Sequence, residues 1–396
     1  MYHPTIVAGV GMVPFRKPTE SSPYDQMGSQ AIKLALSDAG IDFKCVEQVY
    51  AGYVYGDSAS GQRAVYNAGM TGIPIVNVNN NCSTGSTALF LARQAVESGS
   101  CSCVLAVGFE QMSSGALLSH WSDRPDPIDK FEIVSNQLGA DMSLPFAIRY
   151  FGGAGVEHME KYGTSLSTFA KIRSKASRHA AKNPLALLRT ELTTDDVLQS
   201  PTLIPGGLTR YMACPPTCGA AAALIVTKEF AQKHNIPTTV QIIGQAMTTD
   251  TASTFNEQSM IKLVGSDMSK AAAQKVYDQA GIDPADIDVC ELHDCFAPNE
   301  LITYEALGFC PEGEGQAFVE DGDNTFGGKV VTNPSGGLLS KGHPLGATGL
   351  AQCYELTHQL RGTADKRQVS GARIALQHNL GLGGACVVTA YERAAS

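Results

Sequence analysis

Three short stretches of the chain combine residue types that can move protons or form covalent bonds. In the first, His293-Asp294-Cys295-Phe296, an imidazole and a thiol follow the apolar run Ile287-Asp288-Val289-Cys290-Glu291-Leu292. If that run is a strand reaching this far, side chains alternate with period two, and His293 and Cys295 share one face. Three readings are open: half of a metal site, half of a catalytic site with partners elsewhere, or a thiol and an imidazole without chemistry.

The second stretch is Asn81-Cys82-Ser83-Thr84-Gly85-Ser86, at an expected turn from strand to helix. There the sulfur of Cys82 would face free backbone N–H groups and the positive end of a helix dipole. A cysteine of ordinary pKa, about 8.5, is mostly thiol at neutral pH, and the dipole favours the anion by about 0.3–2 kcal/mol. A nearby base would complete the activation. Without one, Cys82 is a small buried residue in a tight turn. The third stretch, Gly342-His343-Pro344, opens another small-residue helix, and His343 is either that base or a capping histidine.

Other candidates are weaker. Cys101-Ser102-Cys103 and Cys214-Pro-Pro-Thr-Cys218 lack the second pair or histidine cluster of a structural zinc site, so no metal is expected. The glycines of Asn379-Leu-Gly-Leu-Gly-Gly384 do not form a dinucleotide fingerprint, but could offer backbone N–H groups to an oxyanion. The basic stretch from Phe169 to Lys182 reads as a solvated helix face; failing that, it is the best place for a polyanionic ligand.

The elements that position these residues are those of an α/β protein. With 396 residues, 43% hydrophobic and 17% charged, the composition is that of a globular chain rather than a disordered one. A formal charge of -9 argues against a nucleic-acid binder. No run of about 20 apolar residues is present, so no membrane span is expected. The 11 cysteines have no framework spacing and imply a reducing compartment. Strands are expected at residues 5–13, 46–54 and 103–109, and helices at Tyr24–Ala39 and Thr87–Glu97, the pattern of a mostly parallel sheet with helices on its faces.

The chain also resembles itself. Asp38-Ala-Gly-Ile-Asp42 matches Gln279-Ala-Gly-Ile-Asp283, the helix after Cys82 matches the one after His343, and Gly219–Thr227 matches Gly384–Tyr391. Two α/β halves related by a pseudo-twofold would bring the starts of those two helices together, and with them Cys82 and His343. The expected division is 1–117 for the first part of the N-terminal half, 118–218 for an inserted loop domain containing a Gly152–Gly155 turn, 219–266 for the completion of that half, and 267–396 for the C-terminal half.

Asn81-Cys-Ser-Thr-Gly-Ser86, His293-Asp-Cys-Phe296, Asn333-Pro-Ser-Gly-Gly337, Gly342-His-Pro-Leu-Gly-Ala-Thr-Gly349 and Gln377-His-Asn-Leu-Gly-Leu-Gly-Gly384 together resemble the thiolases, specifically the sterol carrier protein thiolase branch. The resemblance spans nearly the whole chain. It implies a thiolase fold of duplicated βαβαβαββ halves in a five-layered α-β-α-β-α core, and cleavage of a 3-oxoacyl-CoA by CoA, which enters as a substrate; no cofactor is expected.

Roles follow from the resemblance. Cys82 is the nucleophile, His343 its base, and His293 with His343 faces the enolate oxygen. The backbone N–H groups of Cys82 and Gly381 face the tetrahedral oxyanion. Common thiolases carry a second cysteine in a Cys-x-Gly motif, here replaced by Asn379-Leu380-Gly381; in this branch the cysteine of His-Asp-Cys-Phe takes over, which points to Cys295. The resemblance also implies a homodimer and a peroxisomal location. No targeting signal is seen, with a cytoplasmic location as the alternative, and relatives often carry a C-terminal lipid-transfer domain beyond the point where this chain stops. Two other readings remain: a condensing enzyme acting on carrier-protein thioesters, and a catalytically weak acyl-CoA or lipid-binding protein on the same fold.

Overall fold

The computed structural model describes residues 4–113 and 121–394. Strand β1 (Thr5–Met12) is buried at every position, as its unbroken run of small and apolar residues requires. Helix α1 (Tyr24–Ala39) ends at Gly40, whose φ of 69° is the left-handed conformation that stops a helix. There follow β2 (Gln48–Gly52), α2 (Ser60–Tyr66), β3 (Ile75–Val78), α3 (Thr84–Glu97) and β4 (Cys103–Glu110). After α4 (Phe146–Tyr162) and α5 (Leu166–Ala181), β5 (Gly219–Thr227) returns between β1 and β4, antiparallel to both.

The second half repeats this order. It comprises β6 (Val240–Thr248), α6 (Ser266–Ala280), β7 (Val289–Glu291), α7 (Ala297–Ala306), β8 (Val331–Thr332), α8 (Thr348–Arg361), β9 (Ile374–Gly381) and β10 (Ala385–Arg393). The strands join in the order β8-β7-β9-β10-β6-β1-β5-β4-β2-β3, which reads identically outward from its centre in both directions. Only two register pairs, Thr5 with Ile242 and Ile6 with Gln241, join the halves there. Helices α1 and α6 cover the outer faces, while α3 and α8 pack between the halves through Ala88, Leu89 and Ala92 against Leu350, Ala351 and Cys353. The expected βαβαβαββ duplication and its layers are present.

Three sequence expectations are revised and one stays untested. The Gly152–Gly155 turn lies inside α4, because a Cβ on Gly152, Gly153 or Gly155 would meet Ile204, Met260 or Pro298 at 2.4–2.8 Å; close packing, not a turn, demands those glycines. Strand β7 stops at Glu291, so His293 and Cys295 lie beyond the strand and its alternation does not orient them. The basic stretch of α5 is no solvated face: Arg173, Lys175 and His179 are buried. The boundary at 117/118 falls outside the described residues.

The inward face of α5 fastens the segment between β4 and β5 to the C-terminal half. Arg173 donates to the hydroxyl of Ser340 at 2.6 Å, and His179 bonds the carbonyl of Asn333 at 3.0 Å. Lys175 is paired with Glu300 and donates to Thr332 Oγ1 at 2.6 Å, inside a group that includes Tyr304. Removing one partner of a buried pair leaves the other charge uncompensated. Lys175→Met is therefore expected to cost about 3–5 kcal/mol in denaturant unfolding. Lys171→Ala, one turn away in a pair with Glu320 that is over 40% exposed on both sides, should cost under about 1 kcal/mol. Equal losses would mean that the buried pair does not anchor the segment.

Candidate active site

Cys82 sits between the end of β3 and the start of α3, in a turn closed by hydroxyl groups. Ser83 Oγ donates to Asn80 O at 2.8 Å, Thr84 Oγ1 donates to Asn81 O at 2.6 Å and accepts the N–H of Asn80 at 2.9 Å. Asn81 has a φ of 51°, a conformation that asparagine tolerates better than most residues. Its amide donates to Leu382 O of the opposite half at 3.1 Å, and its Oδ1 lies 3.6 Å from the Cys82 thiol. Cys82 keeps partial solvent access, which leaves a route for substrate. The sequence reading expected a thiolate favoured by the dipole, yet the surroundings push the thiol up, first by desolvation and then by Cys214 and Glu110.

His343 is held at two points. Its backbone N–H donates to Thr217 Oγ1 at 3.1 Å, and its Nδ1 lies 2.7 Å from Thr348 Oγ1. That hydroxyl gives its own proton to Pro344 O at 3.0 Å, so it accepts from the ring, and Nδ1 carries the hydrogen. Nε2 is left with a bare lone pair and is buried without a hydrogen-bond partner among the described residues. Burial holds the ring neutral, with its pKa pushed down to about 3, and Lys341 adds to the shift. A neutral imidazole with an unused lone pair is a base waiting for a proton.

His293 lies opposite, its ring 5.1 Å from that of His343 between centroids and at 86° to it. The thiol of Cys82 and one nitrogen from each ring all lie within 4.8 Å of one another. Three donor atoms so arranged could also ligate a soft cation. However, Asn379 Nδ2 reaches His293 Nδ1 at 3.1 Å, which puts the His293 proton on Nε2 and offers the centre an N–H instead of a lone pair. His293 also donates its backbone N–H to His378 Nδ1 at 3.4 Å and accepts Asn299 Nδ2 at its carbonyl at 2.5 Å, which fixes its main chain. Burial pushes its pKa well down, helped by His343 and His378.

Cys295 is buried beside these groups, and its thiol is pushed well up by burial, then by Cys214 and Cys82. Its carbonyl accepts the N–H of Cys214 at 2.9 Å. The intervening Asp294 points elsewhere: its carboxyl accepts the N–H groups of Leu338 at 2.6 Å and Leu339 at 3.4 Å. Gly381 abuts the Cys82 turn, where a Cβ would come 2.3 Å from Asn80 O. Of the five residues singled out from sequence, Cys82, His293 and His343 share one centre, with Cys295 near Cys82 and Gly381 against the Cys82 turn.

Sequence reasoning missed the supports. Glu110, at the end of β4, accepts backbone N–H groups from Val54, Tyr55 and Gly346 at 3.0–3.1 Å, tying the His343 loop to the other half. Burial raises its pKa to about 7 against the pull of those three bonds. Thr217 and Thr348 aim His343, and Asn379 aims His293. Only the placement of Asn379 and Thr348 within glycine-rich motifs hinted at such roles.

Comparison with known proteins agrees with this architecture. Residues 5–184 match the model of the thiolase N-terminal domain and residues 249–390 that of the thiolase C-terminal domain-like family. Bovine "Sterol carrier protein 2" is 56% identical over 98% of this chain and 72% of its own length. "Non-specific lipid-transfer protein-like 2" of Caenorhabditis elegans is 44% identical over 98% and 95%. "Acetyl-CoA acetyltransferase" of Methanothermobacter thermautotrophicus is 33% identical over 98% and 99%. Among solved structures, "Ltp2-ChsH2(DUF35) aldolase" superposes with a TM-score of 0.83 at 22% identity, covering 98% of each chain. Human mitochondrial 3-ketoacyl-CoA thiolase in complex with CoA superposes with a TM-score of 0.72 at 19% identity, covering 99% and 98%. The chain belongs to the thiolase family, in its sterol carrier protein branch, and has the thiolase fold.

Proposed function

We propose that this chain is a 3-oxoacyl-CoA thiolase that transfers an acyl group to CoA through an acyl-enzyme on Cys82. What carries this reading is a centre in which the Cys82 thiol and one nitrogen of each ring lie within 4.8 Å of one another, with His343 Nε2 lacking a hydrogen-bond partner among the described residues. In the first half-reaction His343 takes the Cys82 proton as sulfur attacks the 3-keto carbon. The bond between C2 and C3 then breaks, leaving an acyl-enzyme and the enolate of a shorter acyl-CoA. The N–H of His293 Nε2 faces the enolate oxygen, and Cys295 gives its proton to C2. In the second, Cys295 recovers a proton from the thiol of CoA, whose sulfur attacks the acyl carbon. Cys82 leaves and takes back the proton from His343. Read backwards, the sequence is a Claisen condensation.

A condensing enzyme would use two histidines, and the second thiol at position 295 favours the thiolase reading over it, because a second thiol suits reversible exchange with CoA. The carrier-protein names of the most similar relatives keep a purely lipid-binding role in play, and the bare nucleophile argues against it. Branched or sterol-side-chain substrates, peroxisomal-type β-oxidation and a homodimer belong to the same proposal, carried over from the resemblance.

Thiolysis of a 3-oxoacyl-CoA, followed by loss of its enolate absorbance, should vanish in Cys82→Ala. In Cys295→Ala it should fall by about 10²–10⁴, with the acyl group of the cleaved substrate found by peptide mass on Cys82. Undiminished turnover by Cys295→Ala would remove that residue from proton transfer. Free Cys82 is expected to react with iodoacetamide at a rate that climbs steadily from about pH 7 to about pH 10, because its thiol is pushed up and His343 is neutral. A rate independent of pH across that range would mean a resting thiolate-imidazolium pair.

A further inference from the structure

The two histidines of the site perform opposite tasks with the same atom: Nε2 of His343 must be bare and Nε2 of His293 must carry a hydrogen. Thr348 settles the first locally. For the second we propose that a buried relay, Gln377 to Ser86 to Asn379, holds His293 in the Nε2–H tautomer. Ser86 and Gln377 are then positioning residues for oxyanion binding. The inference rests on the thiolase reading for its consequence, though not for its geometry.

The polarity of the relay is fixed at its far end. Gln377 Nε2 lies 2.8 Å from the carbonyl oxygen of Gly349, an atom that can only accept, so the amide must present its NH₂ group there. The same NH₂ reaches Ser86 Oγ at 2.8 Å, while Gln377 Oε1 accepts the hydroxyl of Tyr391 at 2.5 Å. Ser86, already receiving a hydrogen from Gln377, has its own to give, and Asn379 Oδ1 lies 2.8 Å away to accept it. Once Oδ1 of Asn379 is committed to Ser86, Nδ2 is the atom left to face His293 Nδ1 at 3.1 Å. An NH₂ group can only donate, so Nδ1 is the lone pair and Nε2 bears the proton. Every residue in this chain of bonds is buried, so no water competes with the assignment.

The relay crosses the pseudo-twofold. Ser86 lies in the first turn of α3, in the half that carries the nucleophile, whereas Gln377, Asn379 and His293 belong to the other half. Separation of the halves by even a fraction of a hydrogen-bond length would free the Asn379 amide to turn over. His293 would then be offered a carbonyl oxygen at Nδ1, the ring hydrogen would move to that nitrogen, and Nε2 would present a lone pair to an oxygen anion. Correct docking of the halves is thereby coupled to a working oxyanion site.

The test reads ring protonation directly, by ¹⁵N correlation spectroscopy of the histidine side chains in the full-length enzyme. In the wild type, Nδ1 of His293 should be unprotonated and Nδ1 of His343 protonated. Ser86→Ala removes the donor that commits Asn379 Oδ1, and should shift His293 toward the Nδ1–H form while leaving the His343 pattern unchanged. Its kcat should drop by about 10–10²-fold with KM within about twofold, since an oxyanion donor acts in the transition state. Asn379→Asp, which keeps the shape but cannot donate, is the second variant should the first fold poorly; in it, Nδ1 of His293 should carry a proton. A wild-type His293 already protonated at Nδ1, or an unchanged His293 pattern in both variants, overturns the relay. If the tautomers behave as stated but the wild type cleaves no 3-oxoacyl-CoA, the relay stands and the substrate reading falls.

Discussion

The site exists because two helices begin almost in contact. A Cβ on Gly349, at the start of α8, would lie 2.1 Å from Ser86 Oγ and 2.3 Å from Ser86 N, and one on Gly85, at the start of α3, would lie 2.7 Å from Gly346 O. No side chain fits between them, so the two backbones touch. Each helix start carries one residue of the proposed mechanism, Cys82 on one and His343 on the other, and their separation is set by that contact together with the bonds of Glu110 to Gly346 and of Asn81 to Leu382 across the halves. Interiors this dense do not deform gradually. A methyl group added at Gly349 would strike Ser86 and Asn379, the residues beside His293.

Burial then dictates the protonation states. Both rings are forced neutral, and two unit positive charges about 5 Å apart would repel by about 3 kcal/mol even at an effective dielectric constant near 20. Only one ring can accept a proton at a time. In the proposed mechanism His343 is the one that should, because its Nε2 is bare. His293 has to remain neutral and still act as a donor, which is possible only if its single hydrogen sits on the atom that points inward. The amide of Asn379 is the least costly way to arrange this, since a carboxylate there would pull the hydrogen to the wrong nitrogen and add a buried charge. The thiols of Cys82 and Cys295 are raised by the same desolvation, which favours their neutral forms.

Much of this was legible in the sequence. The repeat of Asp38-Ala-Gly-Ile-Asp42 in Gln279-Ala-Gly-Ile-Asp283 and of the Cys82 helix in the His343 helix located the duplication, because each half must bury the same faces and so keeps the same pattern. That symmetry also joined two residues 261 positions apart. What escaped was anything decided by a tertiary neighbour. Gly152–Gly155 reads as a turn when its packing partners are unknown, and the charges of α5 read as solvated until Glu300 and Ser340 are placed beside them. Period-two alternation brought His293 and Cys295 to one site by a wrong route, since β7 has ended two residues before His293. The Cys82 thiol was misjudged because a helix dipole is visible in sequence whereas desolvation is not.

Fold alone leaves the chemistry open, for an aldolase and a CoA-bound thiolase both superpose on this chain at identities of 22% and 19%. The choice is made at the two helix starts. Duplication delivers two equivalent positions facing each other across a pseudo-twofold, and a symmetric pair there would achieve nothing: two thiols would lack a base, and two imidazoles a nucleophile. One half places a thiol on a turn that Asn81 holds in a left-handed conformation, the other an imidazole backed by a threonine. The supporting shell is asymmetric in the same sense, with Ser86 reaching out from the nucleophile's half to orient a histidine of the other. In the proposed mechanism, symmetry therefore supplies proximity, and the departures from it supply the acid, the base and the nucleophile.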